Sequence, residues 1–124
     1  MGHDRLMLFF ALVFSLLLAV MMIGAGAAKL RRVPQVTETL VGLGVSDAMQ
    51  ANLGRLELVA ALGLLLGVFQ PVLGVVAAIG LVGYFVGAVT YHVRAGDPLS
   101  ESGPAVAFGM VALITAVLRA SADS

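Results

Sequence analysis

The stretch "LMLFFALVFSLLLAVMMIGAGAA", Leu6 to Ala28, decides what kind of molecule this is. It carries no charge, and Lys29, Arg31, Arg32 and Pro34 end it. A hydrocarbon core of ~30 Å needs about 20 apolar residues in a helix that rises ~1.5 Å per residue. The run is long enough to cross a bilayer, and similar runs follow it. Ser46-Asp47 has the form of a helix N-cap with an acid in the first turn, and it opens a segment reaching Val68. "FQP" (Phe69 to Pro71) is a tight turn that places Pro71 at the start of a third segment. "RAGDPLSESG" (Arg94 to Gly103) is a polar loop, and Pro104 opens a fourth segment ending near Arg119.

These readings predict spans at 6–29, 47–68, 71–94 and 104–120, with a short interfacial helix or turn over 35–45 that Gly42 and Gly44 close. The expected fold is all-α: an integral membrane four-helix bundle of up-down-up-down topology, one transmembrane domain over 1–124. The first span also imitates a signal peptide, with Arg5 ahead of an apolar run and a cleavage-like "AGA" (Ala25 to Ala27). Against that reading, the run exceeds the usual 7–15-residue core, Asp4 weakens the charge before it, and three more spans follow.

Composition agrees. With 60% hydrophobic residues, 11% charged and a mean hydropathy of +1.07, the chain is too apolar for a soluble domain, and lipid must cover much of it. A formal net charge of zero gives no reason to expect a nucleic-acid partner. The absence of cysteine removes disulfides, thiolate metal sites and thiol redox chemistry. Glycine pairs at Gly63/Gly67 and Gly83/Gly87 have the GxxxG spacing that lets membrane helices approach closely, either inside the bundle or between copies in a homo-oligomer.

Basic residues set orientation. Lys29, Arg31, Arg32, Arg55 and Arg94 fall on one side, and Arg5 and Arg119 on the other. The positive-inside rule puts the first group in the cytoplasm and both termini outside.

The charges within the spans point to function. In "LGRLELVAALG" (Leu53 to Gly63), Arg55 and Glu57 are two residues apart and so point away from each other. Arg55 can snorkel to the interface. Glu57 lies ~16 Å from the far end of its helix and is too short to escape. A charge at that depth costs several kcal/mol unless it is paired or wet. Side chains lean towards the N-terminus of their own helix, so Lys29 and His92 lean into the bilayer while Glu57 leans out to meet them. Tyr84 and Tyr91 share a stripe beside His92, and Asp97 and Glu101 on the loop above are placed to close the site. The candidate ligand-binding residues are therefore Lys29, Glu57, Tyr91 and His92, with Arg55, Tyr84 and Asp97 as accessories. A purely structural Glu57 ion pair with Lys29 or Arg55 is the competing reading. No metal site is assigned, and two histidines at opposite faces do not suit haem.

At these residues the chain resembles the DoxX-like family of small four-span bacterial membrane proteins. The resemblance rests on Gly26-x-x-Lys29-Leu30, on Leu43-Gly44-Val45, and on Leu53-Gly54-x-x-Glu57-Leu58 followed by Gly63. Ala88-x-x-x-His92-x-x-x-Gly96-Asp97 completes the set, and Ser46 stands where the family pattern would place Pro. The resemblance implies a bacterial inner-membrane location and a link to quinone, as ligand or through a partner redox enzyme. A quinone head needs donors for its carbonyls, which Lys29, His92 and Tyr91 supply, and a proton carrier, which Glu57 supplies. No residue here carries electrons, so the chain is not expected to be catalytic alone. The alternatives are a non-catalytic structural membrane subunit and a small proton-coupled exporter. The uncharged first span and the absence of Trp count against the exporter.

Overall fold

The computed structural model describes residues 2–96 and 99–122. Five helices follow in order: α1 (Gly2–Leu30), α2 (Pro34–Gly42), α3 (Asp47–Leu66), α4 (Pro71–Arg94) and α5 (Leu99–Ala122). All but α2 are long and apolar enough to cross a membrane. Each span packs on the next, and α5 returns to α1, so the four close into an antiparallel square. The protein is a multi-pass membrane protein.

Local chemistry sets the boundaries. The Ser46 hydroxyl accepts the Met49 amide at 3.2 Å, making the expected N-cap of α3. Pro71 begins α4, where its missing N–H costs nothing. Gly44 and Gly96 take φ of +81° and +74°, the left-handed turn that ends α2 and α4. Arg32 makes the same turn after α1 at φ +55°, with the Val33 amide reaching back to the Ala28 carbonyl at 3.0 Å.

Several boundaries differ from expectation, two of them with a local reason. The second span ends at Leu66, because turn bonds from Val68 to Leu65 and from Phe69 to Leu66 replace the helical ladder. The fourth span starts at Leu99, and Pro104 lies inside it. Proline there, the sixth residue of the helix, gives up the bond to the Ser100 carbonyl, and the helix continues through it.

The core follows heptad-like stripes. Gln50, Gly54, Glu57, Ala61 and Leu64 are buried on α3, and Gly74, Ala78, Leu81, Phe85 and His92 on α4. Leu18, Ala19 and Met22 from α1 and Ala112 and Ala116 from α5 complete it. The large side chains that face outward are apolar, among them Phe9, Val20, Leu56, Val76, Val86 and Val117. That surface suits acyl chains as solvent.

Candidate functional site

Glycine brings the charged residues together. A Cβ on Gly26 would lie 2.7 Å from the Gly54 carbonyl oxygen, and a Cβ on Gly54 would lie 3.0 Å from the Gly26 oxygen. Only glycines let α1 and α3 approach this closely. Lys29 and Glu57 each lie three residues beyond the contact, on antiparallel helices. Their side chains lean back towards their own N-termini and converge over it. Lys29 Nζ sits 2.7 Å from Glu57 Oε1. Glu57 is 1% exposed, and the Lys29 side chain 13%. From α4, the Tyr84 hydroxyl approaches the same carboxylate. Three helices thus meet at one carboxyl group.

The cluster borders a cavity of about 540 Å³, within the range of sites that hold small ligands. Lys29, Glu57, Tyr84, Tyr91 and His92 all line it, and most of the remaining wall is apolar. Leu40 of α2, with Leu43 and Ser46 beyond it, forms the roof. Phe108 of α5 closes another side, its ring edge-to-face with Phe85 at 5.5 Å. His92 is buried on the same stripe as Leu81 and Phe85.

The expected residues do not all converge. Tyr91 lies at the rim, 51% exposed, while Tyr84 takes the inner position on Glu57. Arg55 stays outside the cavity wall, exposed, and bonds to Asn52 Oδ1 at 3.0 Å. Its separation from Glu57 follows from their two-residue spacing. Asp97 and the side chain of Glu101 fall outside the described residues. Together the lining supplies donors from Lys29, Tyr84 and His92, and an acceptor able to carry a proton in Glu57.

Sequence reasoning missed the buried polar residues Ser15, Gln50, Thr115 and Arg119, two of which tie separate segments together. Gln50 donates to the Val45 carbonyl at 3.1 Å and so ties the chain before α3 to the helix. Arg119, read as a charge at the far interface, is 3% exposed, and its Nη2 donates to the Gly67 carbonyl at 2.6 Å. It continues the buried α5 stripe of Ala112, Thr115 and Ala116. That helical spacing was the signal available.

A four-span bundle whose glycines bring a lysine and a glutamate together beside a ligand-sized hole defines a class of small membrane protein. The model of the DoxX-like family matches residues 13–118, and the chain belongs to that family. No curated protein and no solved structure matches it.

Proposed function

We propose that the cavity binds a quinone or similar lipid-soluble molecule with a polar head, in the service of a partner redox enzyme. One observation carries the reading: a buried Lys29–Glu57 pair, with Tyr84 beside it, faces a hole of about 540 Å³ instead of packed side chains. A pair that only fixed helix register would be served better by close packing, since voids in a core are destabilising. The head's carbonyls would accept from Lys29 or His92, and Glu57 would take or give the proton that quinone reduction needs. Electrons would come from the partner. The basic residues near α2 and the α4–α5 connection support an orientation with both termini outside, and the family resemblance suggests a bacterial inner membrane.

A structural reading also has an observation behind it: Glu57 already has a counter-charge in Lys29. One experiment separates the two. The chain has two tyrosines and no tryptophan, and both tyrosines line the cavity. Tyrosine emission therefore reports on this site. Decylubiquinone should quench it saturably, and the Lys29→Met/Glu57→Leu double variant should show only linear, collisional quenching. Linear quenching in the unaltered protein would leave the structural reading standing.

A further inference from the structure

The route into the cavity is also written in the structure. Helices α3 and α4 are tightly joined at one end. A Cβ on Gly67 would lie 2.4 Å from the Gly74 Cα, and one on Gly63 would lie 3.1 Å from the Ala77 Cβ. Towards the other end, beyond Glu57 and Tyr84, Met49 and Leu53 of α3 and Gly87 and Tyr91 of α4 line the cavity. The cavity wall on this side is itself exposed: Met49, Gly83, Gly87 and Tyr91. The other sides are lined mostly by partly buried residues: Ala25, Lys29, Leu40, Leu43, Ala105 and Phe108. α2 roofs the end that faces water, α1 contributes Ala25 and Lys29, and α5 contributes Pro104, Ala105 and Phe108. A Cβ at Gly83 or Gly87 would meet nothing within 4 Å. These glycines serve no helix contact; they leave space open.

Resting on the ligand-binding reading above, we infer that the gap between α3 and α4, floored by Gly83 and Gly87, is a lateral portal for a neutral, single-tailed lipid. The head passes from the bilayer to the Lys29–Glu57 pair, and the tail remains in the gap, continuous with the acyl chains. The chemistry selects that class. The pair is internally neutral, so a charged head would find no uncompensated partner in a low-dielectric site. The floor is a single glycine stripe, Gly83 and Gly87, which favours one alkyl or prenyl chain over a two-chain phospholipid. With α2 over the aqueous end, the bilayer is the open side.

The test uses the full chain in nanodiscs, with stopped-flow tyrosine quenching by decylubiquinone and by its tail-free counterpart, ubiquinone-0. Gly83→Leu and Gly87→Leu should each slow decylubiquinone association at least tenfold and leave the affinity for the tail-free head unchanged. Gly24→Leu is the control: it too is an exposed helical glycine with nothing within 4 Å of its Cβ position, but it lies outside the cavity wall. It should bind as the parent does. Unaltered association in both portal variants would overturn the portal while leaving the site intact. Loss of the tail-free head in both would also overturn it, because the glycines would then belong to the site itself. Absence of saturable quenching by either probe in the parent protein would remove the ligand-binding reading and the portal with it.

Discussion

Removing one member of the Lys29–Glu57 pair is the sharpest perturbation available. Opposite charges 2.7 Å apart attract by ~6 kcal/mol at an effective dielectric of about 20. Desolvating each ion costs several kcal/mol, so the intact pair contributes little net stability. Deleting one partner loses the attraction and leaves the other ion's desolvation cost in place, typically ~3–5 kcal/mol. The two deletions should differ. Lys29 is the second-last residue of α1 and is 13% exposed, and its four-carbon stem can swing to the interface once Glu57 is gone. Glu57 is short, 1% exposed and well inside α3, so it has no such escape. Lys29→Met should therefore fall near the top of that range and Glu57→Leu at or below its bottom. The double variant should return to within about 1 kcal/mol of the parent, because neither ion remains to be stranded. Reversible unfolding in mixed micelles by SDS titration measures all four corners of the cycle. Additive single effects, or a Glu57→Leu more damaging than Lys29→Met, would refute the reasoning.

Three further outcomes follow from the geometry. Gly67→Ala should destabilise the bundle by ~1–3 kcal/mol through overpacking against Gly74, and the same SDS titration measures it; an equally stable variant would mean that α3 and α4 are not in contact there. Arg119→Met should cost ~1.5–3 kcal/mol, the worth of a charged hydrogen bond to the Gly67 carbonyl, with Arg119→Lys recovering part of it. Cysteine placed at Ser121 should react with an impermeant maleimide on intact cells, whereas cysteine at Ala95 should react only after lysis; the opposite pattern would show that the basic residues sit where function needs them.

The spans were legible because twenty apolar residues in a row have one stable solution in lipid, a helix whose backbone bonds are all internal. Starts marked by capping chemistry, at Ser46 and Pro71, were equally legible. Pro104 misled because proline commonly marks a helix start, whereas here it lies more than one turn inside α5. The Lys29–Glu57 meeting followed from the lean of side chains along antiparallel helices, which needs only the topology. Which tyrosine reaches Glu57 did not follow. Tyr84 and Tyr91 are two turns apart on one stripe, and the choice depends on how far α4 slides along α3, which the glycine contacts at Gly63 and Gly67 set.

Those contacts show what sequence spacing leaves undetermined. Gly63/Gly67 and Gly83/Gly87 have the same GxxxG form, and both fit a close helix approach. The first pair does make one: a methyl group at Gly67 would collide with α4. The second pair does the reverse, lining a cavity in which an added Cβ would touch nothing. A missing side chain removes bulk, and whether a neighbour or a void fills the space depends on the crossing of the two helices. Here the tight pair near the α3–α4 turn holds one end of the interface closed, and Glu57 and Tyr84 approach each other midway. Beyond that point, α3 and α4 diverge around the cavity, and the second pair keeps the divergence empty. Filling Gly67 therefore acts on the fold, whereas filling Gly87 acts on what the fold can admit. The two substitutions should separate cleanly: the first lowers stability, and the second leaves stability alone and slows binding.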